Sequence, residues 1–135
     1  MNIREILVKT SLVVTTLALS ACGGPDKGAF SDHQICIATV ATAMGRNPST
    51  IKIDSTQGNV TFLSYLRKDD GSHWKYRCKL EGNGAIWASG SGRWRTNQYD
   101  SKITFSVNDS ELRISEKYSD GSGDTTKYSI GQLGS

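Results

Sequence analysis

The feature that most constrains the fold is the strictly alternating stretch from His73 to Leu80. Apolar side chains occupy every second position: Trp74, Tyr76, Cys78 and Leu80. The positions between them are polar or basic: His73, Lys75, Arg77 and Lys79. Because successive side chains of a strand point to opposite faces, the alternation predicts a strand with one buried face and one solvated face.

One helix is predicted ahead of this strand, and both of its ends are marked in the sequence. Ser31 is the predicted N-cap, and Gln34 three residues later completes a capping box. Gly45 ends the helix, since glycine readily adopts the left-handed conformation of a helix C-terminus. Apolar residues recur at helical spacing between these ends: Ile37, Val40, Ala41 and Met44.

After residue 49 the hydrophobic period changes from helical to alternating and stays so to the end of the chain. Eight strands are predicted: 50–54, 60–66, 73–81, 85–89, 93–96, 102–108, 111–118 and 125–130. Short turns rich in glycine, asparagine and aspartate separate them, which favours antiparallel neighbours. The predicted fold class is therefore α+β, with one N-terminal helix packed on a curved antiparallel β-meander of about six to eight strands. The meander is either open or partly closed into a barrel.

The N-terminus carries targeting information rather than fold information. Residues 1–21 have a basic start and an apolar stretch far shorter than the ~20 residues of a membrane span, so we expect a signal peptide. Leu19-Ser20-Ala21-Cys22 matches the bacterial lipobox, in which the cysteine is acylated. We therefore expect a lipid anchor at Cys22, a flexible tether over 22–29 and a single domain over 30–135. The alternative is an ordinary signal peptide followed by an unrelated cysteine.

Gly23 follows the anchor cysteine, and an aspartate there would resemble an inner-membrane retention signal. We therefore expect the protein in the cell envelope, at the outer membrane and facing the periplasm. Cys36 and Cys78 remain for pairing in this oxidising space, and we expect a disulfide between them, with two free buried thiols as the alternative. Both cysteines lie on predicted apolar faces, so a bridge would fix the helix across the sheet. Closing a loop of this length contributes roughly 4 kcal/mol in the chain-entropy estimate.

Several short motifs resemble a known group of proteins. They are Met44-Gly45-Arg46, Asp69-Asp70-Gly71, Tyr76-Arg77-Cys78, Glu81-Gly82-Asn83, Ile86-Trp87-Ala88 and Gly92-Arg93-Trp94-Arg95-Thr96. Together they resemble a family of short uncharacterised exported proteins and lipoproteins of proteobacteria, and this resemblance implies no particular activity. A weaker resemblance, through Ala88–Trp94, is to the membrane-bound inhibitors of c-type lysozyme, whose recognition loop carries tyrosine where this chain has Trp94. Those proteins are small lipoproteins with a disulfide and a β-barrel.

Residues that could carry catalysis are scarce in this chain. His33 and His73 are its two histidines, and no motif with metal-ligand or nucleophile spacing is present. We therefore expect a non-enzymatic protein without catalytic residues, metal or cofactor. A small hydrolase with an unrecognised site remains as an alternative, as does an inhibitor-like protein.

The basic residues beside aromatic ones form the candidate binding surface. It comprises Lys75, Arg77, Lys79, Trp87, Arg93, Trp94 and Arg95. In the envelope such a surface could meet lipid A phosphates, anionic glycans or an acidic protein, whereas the alternative is a solvated sheet face whose lysines discourage edge pairing. The formal charge of +3 is too small to indicate nucleic-acid binding. We expect a monomer held at the membrane through Cys22, with a binding or structural role.

Overall fold

The computed structural model describes residues 26–134. The predicted signal peptide, Cys22 and the first residues of the predicted tether lie outside this range. Within it, helix α1 is followed by seven strands and two short 3-10 helices. In chain order they are α1 Asp32–Met44, a 3-10 helix Pro48–Thr50, β1 Ile51–Gln57, β2 Val60–Leu66, β3 His73–Glu81, β4 Gly84–Ser89, β5 Lys102–Asn108, β6 Glu111–Lys117, β7 Gly123–Ser129 and a 3-10 helix Ile130–Leu133.

The seven described strands form one antiparallel sheet in the order of the chain, from β1 to β7. The sheet is open in this part of the chain and does not close into a barrel, and the predicted α+β class is confirmed. The strand predicted at 93–96 was wrong, because these residues lie in the connection between β4 and β5. Arg95 N–H donates to Trp87 O at 2.9 Å, whereas the Arg93 side chain turns toward Asp100.

The ends of α1 are set by the predicted local signals. Gln34 N–H donates to Ser31 Oγ at 3.1 Å, and Ser31 N–H donates to Gln34 Oε1 at 2.9 Å, so the capping box is confirmed. Gly45 follows the last helical residue with φ of 63°. This left-handed conformation costs glycine little, and it lets the Gly45 N–H reach the carbonyl of Thr42.

Helix α1 is buried on every side over the two turns from Gln34 to Ala41. All residues from Gln34 to Ala41 are buried, although the sequence pattern predicted a single apolar stripe. The sheet curves around the helix, which contacts β1, β2, β3, β4 and β6 as well as both 3-10 helices. Thr39 is fully buried there, and its hydroxyl group donates to the carbonyl of Ile35 at 2.8 Å, which satisfies its polar atom.

Cys36 on α1 and Cys78 on β3 are placed as a pair that can form a disulfide. Their Cα atoms are 5.8 Å apart, within the range that a disulfide spans. Both residues are almost fully buried at the centre of the core. The pair therefore places the helix against β3, the third of the seven strands, across the inner part of the sheet.

The two ends of the sheet differ in the length of the connections between strands. The end at the start of α1 holds short turns, and residues 26–29 lie against it: the Gly28 backbone packs so tightly on Val107 that an added Cβ would lie 2.9 Å from its Cγ1. The last residues of the predicted tether thus already contact the domain. The opposite end holds the longer connections, which are 67–72 between β2 and β3, 90–101 between β4 and β5, and 118–122 between β6 and β7.

Candidate functional site

Strand β3 brings the basic residues of the candidate surface to one face of the sheet. Tyr76 and Cys78 are buried against the helix, so Lys75, Arg77 and Lys79, which alternate with them, point to the opposite face. Lys75 is exposed, whereas Arg77 and Lys79 are half-buried. Arg77 and Lys79 are therefore not part of an open solvated face, because another part of the chain covers them.

Trp94 provides that cover. Its ring centroid lies 4.7 Å from Arg77 Cζ and 4.5 Å from Lys79 Nζ, so one indole contacts both cations. The guanidinium group of Arg77 also donates to the carbonyl of Gly92. Each cation–π contact contributes ~0.5–1 kcal/mol at a partly exposed position, and together they hold the 90–101 connection against β3.

Asp100 organises the other two arginines of the candidate surface. Arg93 donates to both carboxylate oxygens, with Nη1–Oδ2 at 2.7 Å and Nη2–Oδ1 at 3.0 Å. Arg95 Nη1 lies 3.7 Å from Oδ1, and the backbone N–H of Asn97 donates to Oδ2 at 2.9 Å. The hydrogen bonds from Arg93 are the main reason that the pKa of Asp100 is lowered to about 2. The carboxylate is therefore ionised throughout the physiological range.

Trp87 lies on the helix side of the sheet and not on the basic face. Its Cα partner on β3 is Cys78, and directly opposed residues share a face. Its ring packs edge-on against Tyr76, with centroids 6.0 Å apart, and Arg95 Cζ lies 5.2 Å from its centroid. The sequence leaves two orientations of Trp87 open, outward if Ile86 is buried and inward if the helix covers the sheet, and the structure has the inward one. Both faces of β4 are partly covered, by the helix on one side and by the 90–101 connection on the other.

The candidate surface has a higher net positive charge than the rest of the described domain. Lys75, Arg77, Lys79, Arg93 and Arg95 supply five cations, and the two carboxylates paired with them are Glu81 and Asp100, which leaves a net charge of +3. Residues 26–134 hold 14 lysines and arginines against 12 aspartates and glutamates, a net +2. The remainder of the described domain is therefore slightly negative, and the surface stands out from it electrostatically.

Asp100 was not predicted as a site residue, although the sequence carries a signal for it. It is the only acidic residue between Glu81 and Asp109, and it follows a Trp flanked by two arginines. A lone carboxylate close to two arginines predicts an ion pair that shapes the connection. A second group of stacked aromatic rings was not predicted either: Tyr65 lies parallel to both Trp74 and Tyr76 at centroid distances of 6.5 and 5.9 Å.

Trp74 was predicted on the buried face of β3, but 43% of its surface is exposed. It stands at the start of the strand, beyond the end of the helix, where the core no longer covers it. Arg67 Cζ lies 5.7 Å from its ring centroid, and its indole N–H donates to Ser72 Oγ at 3.0 Å.

A cleft opens where the sheet is weakest, between β4 and β5. The register of these two strands contains one residue pair, Gly84 with Thr104, whereas each other pair of neighbouring strands shares at least six. Beyond that pair the strands diverge and leave a cleft of about 480 Å³. Its walls come from β4, from the 90–101 connection and from the start of β5, and they include Trp87, Arg95 and Lys102.

The two histidines are far apart in the domain. His33 is exposed in the first turn of α1, with Nε2 2.8 Å from Thr56 Oγ1, and His73 is exposed at the start of β3. Within residues 26–134 no group of three or more His, Cys, Asp and Glu side chains is arranged to hold a metal ion. No helix in this range is long and apolar enough to cross a membrane.

No protein-family model, no curated protein sequence and no solved structure matches this chain.

Proposed function

We propose that this chain is a lipid-anchored, non-enzymatic protein of the bacterial envelope that binds an anionic partner through its basic surface. The observation that carries the proposal is the concentration of charge: a net +3 on the surface around Trp94, within a described domain of net +2. Such a patch attracts an anionic partner over roughly one Debye length, about 8 Å at physiological salt.

The arrangement of these cations supports binding rather than simple solvation. Trp94 and Asp100 hold four of the five basic side chains in fixed positions, so little conformational entropy is lost when a partner docks on them. Lys75 adds an exposed amine at the end of the row that is nearest the 90–101 connection. Pre-positioned cations beside an aromatic ring suit recognition of a phosphate or carboxylate group.

The test variant removes positive charge from the basic surface and keeps Arg77, which contacts the ring of Trp94. In the variant Lys75→Gln/Lys79→Gln the net charge of the surface falls from +3 to +1. The control Lys117→Gln/Lys127→Gln removes the same charge from β6 and β7, about 14 to 19 Å from β3 across the sheet. We expect the first variant to capture less anionic envelope material from detergent extracts at low salt, and to lose most of the salt dependence of capture. The control variant should behave as wild type.

Equal capture by wild type and by both variants at low salt would refute the proposal. Wild type and the control variant should melt within about 2 °C of each other, because exposed charges contribute little to stability. Lys75→Gln/Lys79→Gln should melt about 2–4 °C lower, because it loses the contact of Lys79 with Trp94, which contributes ~0.5–1 kcal/mol.

A further inference from the structure

The cleft between β4 and β5 is lined by residues typical of a ligand site, and it exists because the two strands diverge. The two strands pair at Gly84 and Thr104, and past this point the 90–101 connection occupies the edge of β4. The N–H of Arg95 already donates to the carbonyl of Trp87 at 2.9 Å. Strand β5 is thereby kept away from β4, and the space between them stays open.

The walls of the cleft are rich in groups that both donate and accept hydrogen bonds. Amide and hydroxyl side chains from Asn83, Thr96, Asn97 and Gln98 line it, together with the partly buried ring of Trp87. Its volume of about 480 Å³ lies within the range of small-molecule sites, roughly 300–1,000 Å³. Many paired donors and acceptors beside an aromatic ring match a ligand that carries several hydroxyl groups.

Two cations, Arg95 and Lys102, and two carboxylates, Glu81 and Asp100, line the same cleft. Both carboxylates are already paired with cations outside the lining, Glu81 with Lys79 and Asp100 with Arg93, so the charge still available to a ligand is positive. Asp100 is engaged twice by Arg93, so Arg95, at 3.7 Å from the carboxylate, keeps donors for another anion. Lys102 is exposed at the start of β5 and makes no ion pair within the described part of the chain. A carboxylate between these two side chains would be bound by a guanidinium group and an ammonium group.

An extended peptide fits this cleft poorly. Strand addition needs a row of free backbone groups on a sheet edge, and the carbonyl of Trp87 on the β4 edge is already taken by Arg95. Side chains rather than backbone groups must therefore make the polar contacts to a ligand here.

We propose that the cleft between β4 and β5 binds a saccharide unit that carries a carboxylate group. In this arrangement Arg95 and Lys102 hold the carboxylate, and the side-chain amides hold the hydroxyl groups. This inference rests on the proposed function, since it names the class of anionic partner and the place where it binds.

The test uses two ligands that share their hydroxyl groups and differ in whether the carboxyl groups are ionised or methyl-esterified. Trigalacturonate and its fully methyl-esterified form have the same hydroxyl groups, but the ester carries no negative charge. Isothermal titration calorimetry with the domain should detect binding of trigalacturonate and at least tenfold weaker binding of the ester. Lys102→Gln should weaken binding of the acid by about tenfold, which is the loss expected for one charge-assisted contact, and leave the melting temperature unchanged. Lys127→Gln, at the far edge of the sheet, is the matched control and should bind as wild type.

Arg95→Gln should weaken binding in the same way, but it also removes a contact with Trp87, so Lys102→Gln is the deciding variant. The inference is overturned if wild type binds neither ligand, if acid and ester bind equally, or if Lys102→Gln binds as tightly as Lys127→Gln.

The failure of this inference and that of the proposed function are distinguishable. If Lys75→Gln/Lys79→Gln loses envelope capture and wild type does not bind trigalacturonate, the basic surface remains the binding site and the proposed saccharide site in the cleft is refuted. Charge-dependent trigalacturonate binding with unaltered envelope capture in that variant would support the cleft and refute the basic surface.

Discussion

Breaking the bridge between Cys36 and Cys78 should cost this domain about 4 kcal/mol of unfolding free energy. The two residues are 42 positions apart in the chain, and the entropy of closing such a loop corresponds to about 4 kcal/mol at 25 °C. Residues 26–134 should have an unfolding entropy of roughly 0.23 kcal/mol/K, so the melting temperature should fall by about 15–20 °C. Few single changes in a domain of this size have a larger effect.

The variants separate the cross-link from the packing of the two sulfur atoms. The cross-link is absent from all three variants: Cys36→Ala, Cys78→Ala and the double variant. Each alanine also removes the packing of one buried sulfur atom, which contributes about 1 kcal/mol of stability. The double variant should therefore be only about 1 kcal/mol less stable than either single variant. A double-mutant cycle in denaturant should return a coupling energy of about 4 kcal/mol, provided that unfolding is two-state.

Reduction provides an independent measurement on the unchanged sequence. Dithiothreitol should lower the melting temperature of wild type by about 15–20 °C, as expected for loss of the cross-link, and should leave that of the double variant unchanged. Alkylation of the native protein without reductant should find neither Cys36 nor Cys78 as a free thiol. Two alkylated cysteines, or additive stability losses in the two single variants, would refute the reasoning.

Two further predictions concern the anchor and the ion pair at Asp100. Metabolic labelling with an alkyne fatty acid should mark wild type, whereas Cys22→Ala should carry no label and leave the membrane fraction; label that persists in this variant would contradict lipidation at Cys22. The pKa of Asp100 is lowered from 3.8 to about 2, so the stability that its carboxylate provides is complete above about pH 4 and is lost as the pH falls through about 2. Between pH 4 and 2 the melting temperature of wild type should therefore fall more steeply than that of Asp100→Asn, and parallel curves would show that the ion pair does not contribute.

Several features of the fold were predictable because short-range interactions determine them. The limits of α1 depend on Ser31, Gln34 and Gly45, whose hydrogen bonds and backbone conformation involve residues no more than five positions apart. The strand β3 follows from strict alternation, and its central apolar residues, Tyr76 and Cys78, are buried as expected. The turns between strands carry the glycine, asparagine and aspartate residues that short antiparallel connections need.

The candidate site was only partly predictable, because its geometry depends on residues that are distant in the sequence. Alternation placed Lys75, Arg77 and Lys79 on one face, but nothing local showed that Trp94 would cover two of them. The Arg93–Thr96 segment alternates like a strand, yet its position is decided by Asp100, whose carboxylate binds both arginines.

The sequence by itself determined where the helix begins and ends, that the central residues Tyr76 and Cys78 of β3 face the core, and that Cys36 and Cys78 can pair. Capping bonds and the two-residue period of a strand act within a few residues, so they can be read from the chain directly. Only the tertiary structure decided that the curved sheet and the two 3-10 helices together bury the middle of the helix, that Trp87 faces the helix and that a cleft separates β4 from β5. Those outcomes depend on which surfaces meet across the sheet, and the burial of one face does not specify what covers the other.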